Sequence, residues 1–396
     1  MLEANQDGTA LERALGLLLF TGGLCLCALL TWSFSQRINQ IMVAGLLGAI
    51  LIIISLIAPM IAITFAFVWL AILGDVRRLF VFETGVIDQD PLLLVGPLVA
   101  GAIALKPFLN GKLEFHSRLP RLILILMIIM LVEVINPLQG GLIIGVTGGM
   151  FYVVPLLWFW IGQAYGTEEH TKVLFYRVVI CIGIAACVMG LYQTFIDFTP
   201  YQDEWIRIMR MRFLALNVGS RVRPFSFLVS PAEFAHYCMV LVVLAFAPLA
   251  RGKLRPVVCV LPIAMTCIVL QGGRGPLVLA CAACIAMWAL SGKSFNSLQI
   301  LTRTVISGTI AVALIVIGFG AVGADTGASA GVAPMLQRQA AGLLNPLDQR
   351  ESTALDHVFM GINGVLTGVR YPFGMGLGAS TIAGTKYAAD EDSATG

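Results

Sequence analysis

Four ionisable side chains, Arg221, Arg223, Glu233 and His236, crowd the stretch Ser220–Tyr237, at the mouth of an apolar run. An unpaired charge in such a place is costly and calls for a partner or a ligand. A second stretch has the same character: Gln271-Gly272-Gly273-Arg274-Gly275-Pro276 joins two apolar runs. Glycines around Arg274 allow close backbone approach and irregular backbone where two helices meet. Arginine presents a planar fork that matches phosphate or carboxylate oxygens in pairs, whereas lysine acts as a point charge. The chemistry open to Arg223 and Arg274 is therefore anion binding. The plainer reading of Arg274 is a snorkelling residue that ends a helix.

Composition fixes the solvent in which these groups work. Of 396 residues, 58% are hydrophobic and 12% charged, against about 25% charged in soluble domains. This points to an all-α polytopic membrane protein in a lipid bilayer. A net charge of +3 gives no reason to expect nucleic acid as a partner. The nine cysteines all fall in apolar runs and read as small packing residues, so no metal is expected. Cys281 and Cys284 form a CxxC with no second pair and no nearby histidine, which is not a ligand set.

With about 20 residues per crossing as the ruler, eleven spans are expected. They lie near Ala14–Thr31, Ile41–Ile57, Met60–Leu73, Pro91–Leu105, Leu122–Ile135, Leu142–Gly162, Val173–Gln193, Ala235–Ala250, Pro256–Leu270, Pro276–Leu290 and Thr304–Val322. The long apolar run around Ala58-Pro59 is split because proline disfavours a continuous helix there. No cleavage site follows the first run, so that span is expected to be retained.

Basic residues in short loops set the orientation, with the amino terminus inside. The segment Phe195–Ala232 is then external, yet it carries Arg207, Arg210, Arg212, Arg221 and Arg223 and no lysine. These arginines form either an anion-binding surface or, over Glu204–Leu216, an amphipathic interfacial helix. Residues 1–322 are expected to form the membrane domain and 323–396 a large external helical loop. That loop resumes helical spacing over Met335–Gly361, with Arg338, Arg350, Glu351, Asp356 and His357. It ends in Arg370-Tyr371-Pro372-Phe373-Gly374-Met375-Gly376-Leu377-Gly378. The glycine run lacks the strand and spacing of a dinucleotide fingerprint. It reads as a tight loop lying against the membrane domain, and no cofactor is expected.

The order of these features resembles the bacterial O-antigen ligase and polymerase superfamily: many spans, Arg223 before a span, the Gly-Arg-Gly hairpin at Arg274, and a late external loop that holds Arg350 and closes in Pro-x-Gly-x-Gly-x-Gly. Smaller similarities are Gly74-Asp75-Val76-Arg77-Arg78, Asn136-Pro137, and Gln193 with the aromatic loop to Trp205. The resemblance runs from about Gly74 onward and rests on order and spacing. It implies transfer of a glycan from a polyprenyl pyrophosphate carrier to an acceptor glycan or lipid, at the outer face of the inner membrane, without a metal or nucleotide sugar. Arg223 and Arg274 would hold the pyrophosphate, with Arg350 as a third, and Arg221, Ser226, Gly273, Gly275 and His357 would line the substrate site. The ligases carry a histidine after the glycine run. This chain stops before that point, so a truncated chain with further downstream spans is expected, and the missing histidine tilts the reading toward a polymerase.

A pyrophosphate leaves with growing negative charge, and fixed cationic donors lower that barrier. Glu233 is the nearest carboxylate and could serve as base to an acceptor hydroxyl, or simply pair with an arginine. His357 reads first as a loop-packing residue and second as a base. The rival from another class is a secondary transporter for an organic anion, which would use arginines near the midplane of broken helices and an internal repeat.

Overall fold

The computed structural model describes residues 40–84, 90–111, 115, 117–209, 217–218, 221–291, 339–341, 343, 345, 354–379 and 381. Among them the regular structure is helical apart from one two-residue antiparallel ladder, β1 (Asn217–Val218) against β2 (Arg221–Val222). The helices are α1 (Gln40–Ile57), α2 (Pro59–Thr84), α3 (Leu92–Leu109), α4 (Arg118–Glu133), α5 (Leu142–Tyr165), α6 (Glu169–Phe195), α7 (Pro200–Met209), α8 (Pro231–Ala250), α9 (Val260–Gln271), α10 (Arg274–Leu290) and α11 (Ala354–Arg370).

Six of these, α1, α2, α3, α5, α6 and α8, are long and apolar enough to cross a membrane, which makes this a multi-pass membrane protein. The expected break at Ala58-Pro59 is present, with α1 ending at Ile57 and α2 starting at Pro59. The expected segments near Leu122, Pro256 and Pro276 are helices too, but shorter than a full crossing ruler. The expected spans at Ala14–Thr31 and Thr304–Val322 lie outside the described residues.

Contacts divide the chain into two compact units. The first takes the described residues of Met1–Trp69, Ile87–Phe175 and Met360–Gly396. Here α3 packs on both α1 and α5, and α4 packs on α5. Val43, Leu47 and Leu51 of α1 and Val95, Val99 and Ile103 of α3 are buried, spaced at the three-to-four residue period that keeps one helical face inward. The second unit takes the described residues of Leu70–Val86 and Tyr176–Phe359. In it α8 packs on α9 and α10, around buried Phe234, Leu241, Ala264, Ile268, Leu277 and Ala280. The glycine-rich loop after α11 belongs with the first unit.

Within that unit the loop is pinned, as a tight loop lying on membrane helices should be. Glu133, at the end of α4, accepts the Gly376 amide on its carboxylate (3.1 Å) and the Leu377 amide on its backbone carbonyl (3.3 Å). Gln139, in the 3-10 turn between α4 and α5, accepts the Gly378 amide (3.2 Å), and Asn136 donates to the Phe373 carbonyl (3.4 Å). Helix α11 continues nine residues beyond the expected end of helical spacing at Gly361. Its apolar positions hold their helical period straight through Gly361, Gly364 and Gly368.

Candidate functional site

The second unit gathers one candidate site around the loop that leads into α8. Helix α8 begins where Ser230 caps it: the Ser230 hydroxyl accepts the Glu233 amide (3.3 Å), and Pro231 occupies the first helical position, where its missing N–H costs nothing. The loop just before, residues 223–230, is held at three points.

The first point is Arg223. Its Nε donates to the Gln271 carbonyl (2.9 Å) and its Nη2 to the Gln271 side-chain oxygen (2.6 Å). Gln271 in turn donates to the Pro231 carbonyl, so one amide ties the start of α8 to the end of α9. The α9–α10 hairpin turns through Gly272 in the left-handed region (φ 75°) and Gly273. A Cβ on Gly273 would sit 3.2 Å from Arg223 Nη2 and 2.9 Å from the Gln271 oxygen. Glycine is what lets the guanidinium lie flat on the hairpin. Arg274 is the next residue and the first of α10. Arg223 is therefore seated one residue from Arg274, and both side chains are half-buried.

The second point is Gln193, buried near the end of α6. Its oxygen accepts the Phe225 (3.0 Å) and Ser226 (2.7 Å) amides, and its nitrogen donates to the Ser226 carbonyl (2.8 Å) and the Gln202 oxygen (3.1 Å). Ser226 turns the chain with φ 58°, an uncommon conformation for a side-chain-bearing residue.

The third point is Arg78 of α2, only 1% exposed. Its Nη2 donates to the carbonyls of Leu228 (2.6 Å) and Val229 (2.9 Å), and its Nη1 to Asp75 (2.9 Å). The guanidinium carbon lies 4.0 Å from the centre of the Phe225 ring and 4.6 Å from that of Trp205, close enough for cation–π attraction to both. Asp75 also accepts from the Tyr201 hydroxyl (3.1 Å) and Gln202 (3.1 Å). Burial, reinforced by the charge on Asp75, pushes the Tyr201 phenol above its ordinary range. Gly74 completes the knot: any Cβ there would overlap the Leu228 carbonyl, so only glycine lets α2 meet the loop backbone.

The other expected site residues fall out as follows. A Cβ added to Gly275 would meet nothing within 4 Å, so no close approach there calls for glycine. Ser226 is fully buried and faces protein, which removes it from the ligand-facing set. The Glu233 carboxylate neither pairs with an arginine in these bonds nor stands idle: it accepts the Val229 amide (3.1 Å) and so acts as a cap. Arg221 lies in β2, paired with Val218. Arg207 pairs with Glu204 on the exposed face of α7; that helix spans Pro200–Met209, while Arg210 and Arg212 lie outside the described residues. Arg350 also lies outside them. His357 is exposed on α11, not packed into a loop.

Sequence reasoning missed Arg78, Asp75, Gln202 and Gln271 as parts of this site. The available signal was the pair Arg77-Arg78 with Asp75 inside an apolar run, since charges there are held by partners.

A second cluster lies in the core of the same unit. Cys187, Cys238 and Cys267, from α6, α8 and α9, bring their sulfur atoms within 4.8 Å of one another. This is the one such group among the described residues with the donors to reach a soft metal ion. All three are buried among apolar side chains, and ligation would require burying thiolate charge there. The Cys267 thiol instead donates to the Cys187 carbonyl (3.7 Å), so packing accounts for the cluster.

Comparison with protein families, curated proteins and solved structures returns no match.

Proposed function

We propose that this chain is a membrane glycan transferase that moves or polymerises surface polysaccharide units from a polyprenyl pyrophosphate carrier onto an acceptor sugar. The site opens to the outer face of the inner membrane. One observation carries the reading: Arg223 is clamped by Gln271 onto the glycine hairpin whose next residue is Arg274. The guanidinium of Arg223, held on the hairpin, and that of Arg274, the first residue of α10, would provide paired donors for a diphosphate, and the N-terminus of α10 adds its positive dipole end.

In the reaction, the acceptor hydroxyl attacks the anomeric carbon, the bond from that carbon to the pyrophosphate oxygen breaks, and the polyprenyl pyrophosphate departs, with the hydroxyl proton passing to water or to an oxygen of the leaving pyrophosphate. Arg223 and Arg274 offset the charge that builds on the leaving oxygen. Lysine in either place retains the charge and loses the fork.

The test is transfer of a labelled glycan from its polyprenyl pyrophosphate carrier in proteoliposomes, comparing the parent with Arg274→Lys. Transfer by the parent and loss of most of it in the variant is expected. Normal product length in Arg274→Lys would return Arg274 to a snorkelling residue. Uptake of a free organic anion without glycan transfer would favour a transporter.

A further inference from the structure

Helix α11 carries a face that the reading above leaves unused. At 100° per residue, Val358, Phe359, Ile362, Val365, Leu366 and Val369 fall within an arc of about 120°. These six side chains are between 51% and 77% exposed. The opposite side carries Asp356, His357, Asn363 and Thr367, one large apolar residue, Met360 (65% exposed), and the glycines at 361, 364 and 368, where an added Cβ would meet nothing within 4 Å. Residues 356–370 are exposed on every side, and a helix that gathers five of its six exposed β-branched and leucine side chains and a phenylalanine on one such face is built to lie on something apolar.

What it lies on follows from where it ends. The chain leaves α11 at Arg370 and within eight residues is fastened to Glu133 and Gln139, at the junction of α4 and α5. That junction is the end of a membrane-crossing helix, since α5 is apolar over its full length. Its own outer residues Ile135, Leu138, Leu142 and Ile143 are all well exposed apolar groups, as expected of a surface in contact with lipid. Arg370, Tyr371 and Phe373 then fall at the same level, and arginine and aromatic residues favour the headgroup layer.

We infer that α11 is an interfacial helix whose apolar face inserts into the bilayer surface around the α4–α5 junction. The partner is lipid, not another protein. Its polar side holds no lysine and only one arginine, at the last residue, so attachment rests on the buried apolar face and not on anionic headgroups. This inference is independent of the transferase reading.

The full chain, reconstituted in phosphatidylcholine nanodiscs, carries an environment-sensitive fluorescent amino acid at Val365 or, separately, at Thr367. A third form at Ile362 guards against a local defect at Val365. With brominated acyl chains, the probes at 362 and 365 should lose most of their emission and the probe at 367 should keep it, equally at low and high salt. Unquenched probes at 362 and 365 would overturn the proposal. Equal quenching at 367 would do so as well, because the helix would then be immersed on all sides. A blue-shifted probe at 365 that ignores bromine and reverts on dilution would assign the face to a second copy of the chain.

Discussion

The fork of Arg78 organises the loop before α8, and removing it should be felt throughout the second unit. In Arg78→Met the stem volume is nearly kept, while three charge-assisted bonds are lost: two to the Leu228 and Val229 carbonyls and one to Asp75. Bonds to a charged group contribute about 1.5–3 kcal/mol each, and breaking a buried ion pair by removing one partner costs about 3–5 kcal/mol. The terms overlap, because Asp75 keeps the Tyr201 hydroxyl and Gln202 as donors. A loss of about 4 kcal/mol is the balance, roughly a thousand-fold in the unfolding equilibrium. Arg78→Lys keeps the charge but cannot reach both carbonyls and Asp75 together, and should lose about half as much. Reversible unfolding in mixed micelles measures the total. Hydrogen exchange at the Phe225 and Ser226 amides, which Gln193 holds, reports the loop directly. A double-mutant cycle with Asp75→Asn should show coupling of at least about 1 kcal/mol. If Arg78→Met unfolds within about 0.5 kcal/mol of the parent, as a plain surface substitution would, and loop exchange is unchanged, the reasoning fails.

Further outcomes are expected from the same geometry. Gly74→Ala places a Cβ on the Leu228 carbonyl and should destabilise the second unit by about 1–3 kcal/mol, read in the same unfolding assay; an unchanged midpoint would mean that α2 and the loop are not in contact. Gln271→Leu removes both the side-chain acceptor for Arg223 and the donor to Pro231, and Gln271→Glu sets a carboxylate against the guanidinium and cancels its charge, so inorganic pyrophosphate binding measured calorimetrically should weaken in both; parental affinity in Gln271→Glu would mean that Arg223 does not meet the anion. Tyr201, raised by burial first and by Asp75 second, binds its proton more tightly folded than unfolded. Its contribution to stability is therefore full below the ordinary tyrosine range and is lost as pH rises through the higher folded value. The phenolate absorbance of the parent minus that of Tyr201→Phe should titrate above the ordinary tyrosine range, and a normal midpoint would place Tyr201 in water.

Much of the helical layout was legible because the long helices are apolar runs bounded by glycine, proline or charge. The split at Ala58-Pro59 and the hairpin around Arg274 both follow from proline and glycine at fixed places. The knot around Arg78 was harder to read. Arg78 and its carbonyl partners are 150 and 151 residues apart, and acceptors on the main chain leave no trace in residue types. Gln193, Gln202 and Gln271 are neutral amides in or beside apolar helices, so they lack the charge that drew attention to Arg223. Their burial was the missing fact, and a buried amide must find partners. Helix α11 ran past its expected end for a different reason: glycine lowers helix propensity by about 1 kcal/mol each, but an apolar stripe with a surface to cover outweighs it.

Arg78 and Arg223 show two uses of the same side chain within one loop. Arg78 is fully buried, has Asp75 at 2.9 Å to cancel its charge, and is sealed between two aromatic rings. It can therefore hold the loop but offers no charge to a ligand. Arg223 is half-buried, and its two bonds to Gln271 go to neutral oxygens. Those bonds fix the direction of the guanidinium without cancelling its charge, and the carbonyl among them belongs to the negative end of the α9 dipole. Because Leu228 and Val229, gripped by Arg78, lie on the same short loop as Arg223, the buried pair sets the position from which the half-buried arginine acts. Under the proposed transfer reaction the two arginines divide the work: Arg78 is neutralised by Asp75 to build the scaffold, and Arg223, aimed by Gln271, is the one set on the hairpin that leads into Arg274.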